Sequence, residues 1–318
     1  MNTTLPPKPN WFQTWLTAVR PFSFPASTMP VIFGSVAAAV FTPAPFKWGG
    51  ALLALFGMVA LHAAANLWSD VNDYRRGLDR VPTPVSGALV RGWITVRQTF
   101  VAAWVFLLLG GACGALLAFQ VGLPLWILGG VGVLIGVGYT ARPLQLKYHA
   151  LGDLAVFLDF GILGALGAWV VQTGQFDWRP VLWAVPFSLL VIGILHANNW
   201  RDIVNDGHCA IRTVANLLGD RGSLIYYGLL VFAPFVIILA LIALRLVAPA
   251  AWLGLPWTFL VTLLAVPSAL RCWRKALRRR QPAQPLDFVA LDGATAQLNL
   301  QFGLLCTVAL LLHACFLP

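Results

Sequence analysis

Long apolar stretches with almost no charge inside them recur along this chain, and that one feature excludes an ordinary soluble fold. Nine segments, about 22–41, 49–67, 99–119, 124–141, 151–171, 181–199, 224–244, 251–270 and 297–316, are long enough, or nearly so, to cross a hydrocarbon core as helices. A backbone in lipid must satisfy its own polar groups, and in runs of this length a helix does so. With 59% hydrophobic and 10% charged residues over 318 positions, the chain reads as an all-α polytopic membrane protein forming one domain over 1–318.

The net charge of +10 invites a nucleic-acid reading, but its distribution follows the membrane. Drawn on nine spans, eighteen of the twenty-one Lys and Arg residues fall with the N-terminus and the even-numbered loops, leaving only Lys47, Arg179 and Arg245 opposite. The positive-inside rule then puts residues 1–20 and the polar loops in the cytoplasm, so membrane lipid and not nucleic acid is the expected partner. The run RCWRKALRRR (271–280) reads as an anchor beside anionic lipid. The first twenty residues lack the features of a signal peptide, so the N-terminus is expected to stay on the mature protein. Cysteines 113, 209, 272, 306 and 315 stand singly, without a CxxC pair, and read as packing residues.

All eleven acids are aspartates, and five of them fall in two clusters at the ends of apolar runs. ANLWSDVND (65–73), trailed by Asp79, closes the second predicted span, and ANNWRDIVND (197–206) closes the sixth. The two are near-copies, as an internal repeat would produce. At about 100° per residue, Asn66, Asp70 and Asp73 fall within roughly 60° of one another on a helix, and Asn198, Asp202 and Asp206 do the same. Trp68 and Trp200 point away from the acids and read as packing side chains.

Crowded carboxylates beside a bilayer need neutralising cations. Without a His/Cys set of zinc spacing, oxygen-only ligands suit Mg²⁺, which binds through one or two carboxylates together with substrate phosphates. A diphosphate held between the two clusters, with Arg75, Arg76, Arg142, Lys147, Arg201 and Arg212 at the same membrane level, fits this pattern. The same arginines also satisfy the positive-inside rule alone.

At these residues the chain resembles the UbiA superfamily of intramembrane aromatic prenyltransferases. Asn66, Asp70, Asp73 and the trailing Asp79 match the family's first acidic motif, and Asp202 and Asp206 match its second. RPFSFPASTMPVIFGS (20–35), SGAL (86–89), YTARPLQLKYHALGDL (139–154) and VVQTG (170–174) resemble the 1,4-dihydroxy-2-naphthoate branch of menaquinone biosynthesis. The resemblance implies a nine-helix bundle around a central cavity open to the cytoplasmic side and laterally to lipid. It also implies Mg²⁺ on Asp70, Asp73, Asp202 and Asp206, a polyprenyl diphosphate donor and an aromatic acceptor, in a bacterial cytoplasmic membrane. Ser69 stands where the family has asparagine, Gly77 where one spacing would place an aspartate, and Ile211 where a basic residue is usual. Lys147 is a candidate to supply a missing cation.

Substrate contacts are expected from Asn66, Asp79, Tyr139, Arg142, Lys147, Asp153, Asn198 and Arg201. Tyr139 and Tyr148 offer π faces to an allylic cation, and Asp153, four residues after His149, could orient acceptor hydroxyls or simply begin a helix. Asp159, two turns inside a span, is an ionisable group in the membrane and therefore a candidate functional residue. His62 and His196 read as packing histidines, and the glycine runs at 107–117 and 129–138 as close helix contacts. Other aromatic acceptors (4-hydroxybenzoate, homogentisate, a porphyrin or a specialised aromatic), a divalent-cation transporter and an inactive scaffold remain as alternatives.

Overall fold

In the computed structural model, residues 9–78, 82, 87–208, 211–248, 252–279 and 290–316 are described, and Asp79, Arg80 and Cys209 lie outside them. Eleven α-helical elements of five residues or more, counting continuous spans as one, appear among the described residues, together with a nine-residue 3₁₀ helix, shorter 3₁₀ turns and one isolated bridge between His149 and Arg212. They are α1 (Trp11–Val19), α2 (Pro25–Phe41), α3 (Trp48–Arg76), α4 (Val96–Val121), α5 (Leu123–Gly138), α6 (Gly152–Thr173), α7 (Trp178–Arg201), α8 (Ile203–His208), α9 (Val214–Val247), α10 (Val266–Ala276) and α11 (Leu291–Phe316).

Six of these are long and apolar enough to cross a membrane, or seven when α1 and α2 count as one bent span. The expected fourth span is the shorter α5, and the expected eighth is split into a 3₁₀ segment (Trp257–Ala265) and α10. The α1–α2 bend of 55° has a local cause. Arg20 precedes a proline, which disfavours the helical region, and takes φ +54°; a 3₁₀ turn over Pro21–Ser23 follows, and Pro25 opens α2 as a first-turn proline.

The central pack is α2, α7, α9 and α11, with Phe33, Trp183, Phe187, Tyr227, Phe259 and Phe302 fully buried between them. α3 lies along α4, and α6 joins this pair to the central pack through α2. Glycine makes that junction possible, because a Cβ on Gly34 of α2 would fall 2.1 Å from the carbonyl oxygen of Ala165 on α6. Leu108, Phe119, Leu134 and Val236 are exposed on the outside, as lipid-facing side chains are.

Two sequence expectations change here. Gly57 and Gly110 do make a close α3–α4 contact, but a Cβ on Gly111, Gly114, Gly129 or Gly130 would meet nothing within 4 Å. Those four glycines open space between helices rather than close it. The basic run at 271–280 is also not wholly a lipid anchor: Arg279 turns inward, its Nε 2.5 Å from Oδ1 of Asp220, with its guanidinium over Trp200. An arginine can leave solvent when a carboxylate and an aromatic face receive it.

Candidate active site

The first acidic cluster lies on the last turns of α3, which continues unbroken until Gly77 caps it with φ +84°. Its polar face is docked from two sides. Toward the α1–α2 elbow, Asn66 donates to the carbonyl of Val19 at 2.9 Å and to Ser23 Oγ at 3.2 Å, and Asp70 pairs with Arg20. Gly87 packs over that pair, where a Cβ would lie 3.0 Å from Asp70 Oδ2. Toward the α5–α6 connection, Asp73 accepts from Lys147 Nζ at 2.5 Å, Tyr148 OH at 2.9 Å and Ser69 Oγ at 3.1 Å. Lys147 also donates to Ser69 at 3.0 Å, so the serine that departs from the family pattern is tied to the unusual lysine.

Burial disfavours the charged ammonium of Lys147, but the Asp73 carboxylate outweighs it and holds the lysine pKa above its ordinary value. Burial, with the Asp73 charge added, raises the Tyr148 phenol as well, so it remains a proton donor. Arg76 lies 3.9 Å over the Tyr148 ring. Tyr148 therefore serves Asp73 and Arg76 here.

The second cluster departs from the expected single helical face. The helix breaks at Asp202 (φ −95°, ψ 10°), between α7 and α8, so Asn198 and Asp206 belong to different helices. Arg201 organises this end: its guanidinium reaches both oxygens of Asp202 at 3.1 and 2.9 Å, Asp292 of α11 at 2.8 Å, and the side-chain oxygen of Asn198. Trp200, the counterpart of Trp68, is buried and donates to Asp220 at 2.7 Å, in keeping with a packing role. Trp68 packs against Phe100 at a tilt and against Trp104 edge-on.

The two clusters meet across a cavity of ≈ 170 Å³, lined among others by Arg20, Asn66, Tyr139, Lys147, Asn198 and Asp292. Asp70, Asp73, Asp202 and Asp206 are not among its lining residues. Three of those acids are instead paired with a cation, two of them with Arg20 and Lys147, which themselves face the cavity. Arg142 and Arg212 are exposed and line neither this cavity nor its neighbour, and Asp153 is buried beside Tyr226 while His149 is exposed. Arg20 and Asp292 were not singled out from the sequence as site residues. RPFSFPAS and the lone acid opening α11 mark their positions, but their partners are 50 and 91 residues away.

A second cavity of ≈ 450 Å³ adjoins the first and shares Ala65, Gly136, Asp159 and Phe160 with it. It is apolar, runs among α3, α4, α5 and α6, and owes its width to the uncrowded glycines 111, 114, 129 and 130. His62, at the wall of the smaller cavity, is held by Ser23 at 3.2 Å and Ser27 at 2.8 Å and stacks on Phe160 with centroids 4.5 Å apart. Among the described residues, no three His, Cys, Asp or Glu side chains converge as a ready-made metal set. The donors present are oxygens, one or two carboxylates on each side, and such a set suits a hard cation that completes its shell with water and substrate oxygens.

The sequence profile of the UbiA prenyltransferase family matches residues 27–291. UbiA prenyltransferase domain-containing protein 1 of Xenopus tropicalis is 34% identical over 301 residues, covering 92% of this chain and 79% of its own length. The 1,4-dihydroxy-2-naphthoate octaprenyltransferase of Bacillus subtilis (strain 168) is 28% identical over 313 residues, 97% of this chain and 96% of that one. Among solved structures, a UbiA homolog from Archaeoglobus fulgidus bound to GPP and Mg²⁺ shares the fold with a TM-score of 0.61, at 16% identity, over 93% of this chain and 99% of that one.

Proposed function

The chain belongs to the UbiA prenyltransferase family, and from that premise we propose that it transfers a prenyl group from an allylic polyprenyl diphosphate to 1,4-dihydroxy-2-naphthoate, with loss of CO₂. The observation that carries this reading is the pairing of a small polar cavity, faced by Arg20, Lys147, Asn66 and Asn198, with a larger apolar one. A prenyl diphosphate has the same two parts, an anionic head and a hydrocarbon tail.

In this reading Arg20, Lys147 and Arg201 neutralise and orient the diphosphate, with Asn198 donating a hydrogen bond, while Asn66, whose amide hydrogens go to Val19 and Ser23, fixes the elbow that carries Arg20. Asp70, Asp73, Asp202 and Asp206 would hold Mg²⁺, as the Archaeoglobus homolog's bound Mg²⁺ suggests by analogy. When bound there, Mg²⁺ supplies charge neutralisation for the departing diphosphate. The allylic C–O bond breaks with its electron pair leaving on pyrophosphate. An electron-rich ring carbon of the acceptor then forms the new C–C bond, and the electrons of the broken C–CO₂ bond restore aromaticity. Tyr139 presents a π face to the cationic carbon, and the apolar walls exclude water from it. Of the other substrate contacts expected from the sequence, Asp79 lies outside the described residues, and Arg142 and Asp153 line neither cavity, so the three are left out of this reading.

The topology proposed with this function is a single domain over 1–318 with nine crossings, α5 and the split 257–276 segment included. Its N-terminus and acidic loops face the cytoplasm of a bacterial cell, as the charge asymmetry supports. The cavity opens to that side and laterally to lipid. A family prenyltransferase leaves the transporter reading without support.

The test is an acceptor panel. Purified protein with Mg²⁺ and a labelled prenyl diphosphate is offered 1,4-dihydroxy-2-naphthoate, 4-hydroxybenzoate and homogentisate in parallel. Labelled naphthoquinol and release of CO₂ are expected; product with another acceptor alone overturns the naphthoate assignment.

A further inference from the structure

Among the described residues, Asp159 is the one ionisable side chain lining the large apolar cavity, and it lines the small polar cavity as well. It lies about 10 Å along α6 from Gly152, at 1.5 Å per residue. A π-helical turn over Phe157–Leu163 carries it, a distortion often found at functional positions. Its oxygens face a notch in α5, where a Cβ on Gly132 would lie 3.2 Å from Oδ1 and one on Gly136 3.6 Å from Oδ2. Among the described residues, no hydrogen bond or ion pair reaches this carboxyl. A polar group left so in an apolar interior is costly unless a ligand satisfies it.

The chemistry of the two proposed substrates decides which one does so. The prenyl tail has no hydrogen-bonding group, and the diphosphate is an anion whose cationic partners, Arg20 and Lys147, line the polar cavity. The hydroxyls of a phenolic acceptor are the donors a carboxyl oxygen can accept from. Phe160, the next residue, stacks at 19° on His62 and offers a flat aromatic wall to a planar ring.

Resting on the prenyl-transfer reading, we propose that Asp159 binds and orients the aromatic acceptor by accepting a hydrogen bond from one of its hydroxyls where the two cavities join. The residue thereby selects phenolic acceptors and sets which ring carbon meets the allylic centre. Acceptor and donor are recognised by separate groups, so their binding constants respond to separate substitutions.

The experiment measures steady-state kinetics of the full chain with the acceptor found in the panel, for wild type, Asp159→Asn and Asp159→Leu. Each is also assayed with acceptors whose hydroxyls are singly O-methylated. Asp159→Leu is expected to raise the acceptor KM about tenfold, equivalent to ~1.4 kcal/mol, with the donor KM within about twofold of wild type. Asp159→Asn, which keeps an accepting oxygen, restores most of that loss. Methylation of the recognised hydroxyl should weaken wild type about tenfold and Asp159→Leu no further. An unchanged acceptor KM, a rise confined to the donor KM, or an equal methylation penalty in both proteins overturns the assignment while leaving prenyl transfer intact. Absence of transfer by wild type with every acceptor overturns the functional reading and this inference together.

Discussion

Lys147, on the connection between α5 and α6, places its Nζ 2.5 Å from Oδ2 of Asp73 on α3, joining a loop to the acidic face 74 residues earlier. The contact neutralises one carboxylate and holds a cation at the polar cavity with the same bond. Removing one partner of such a pair leaves a buried charge, which costs more than removing both.

Lys147→Met is therefore expected to destabilise the protein by about 2–4 kcal/mol, and the double variant with Asp73→Asn by clearly less. Thermal unfolding in detergent checks this. The folded pKa of Lys147 is raised, so its contribution is complete below the unfolded value of about 10.4 and is lost only as pH rises through the folded one. The difference between wild type and Lys147→Met should then be the same at about pH 6 and about pH 8.

Gly87 packs over the Arg20–Asp70 pair, and a Cβ there would crowd Asp70 Oδ2 at 3.0 Å. Gly87→Ala should weaken binding of the prenyl diphosphate by a few-fold and Gly87→Val by about tenfold or more, read as the donor KM. An acceptor KM that moves instead would detach this pair from the donor.

The apolar cavity should set how long a prenyl chain is accepted. Gly114→Leu or Gly129→Leu adds a side chain to open space, so little loss of stability is expected, under about 1 kcal/mol. Transfer from long-chain donors should fall about tenfold or more, while transfer from a five-carbon donor stays near wild type. A series of diphosphates of increasing length reads this out.

Metal removal separates the two acidic clusters. Chelation should abolish transfer and added Mg²⁺ should restore it, and Asp202→Asn should raise the Mg²⁺ concentration needed for half-maximal rate by about tenfold. Arg201 would still hold Asp292 and Asn198 in that variant, so the fold is expected to persist.

The helical class, the family and the two polar clusters were legible in the sequence because each is a local pattern: apolar length, and acids at helical spacing. What escaped was long-range or depended on packing. Nothing near Asp70 names Arg20 as its partner, since the elbow at Pro21 brings them together, and Asp292 joins Arg201 only when α11 packs on α7. The repeat suggested two like faces, yet one copy stays on a straight helix and the other breaks at Asp202. Composition also cannot tell a glycine that closes a contact, such as Gly57, from one that widens a cavity, such as Gly129, because both look the same until the neighbouring helix is placed.

The central claim, that the two acidic clusters together drive prenyl transfer, is tested most directly by pyrophosphate release and labelled product from purified wild type, Asp70→Ala and Asp202→Ala with Mg²⁺, prenyl diphosphate and 1,4-dihydroxy-2-naphthoate. Magnesium-dependent product from wild type, lost in both variants, is the expected result. Product that survives either substitution at the wild-type rate would contradict it.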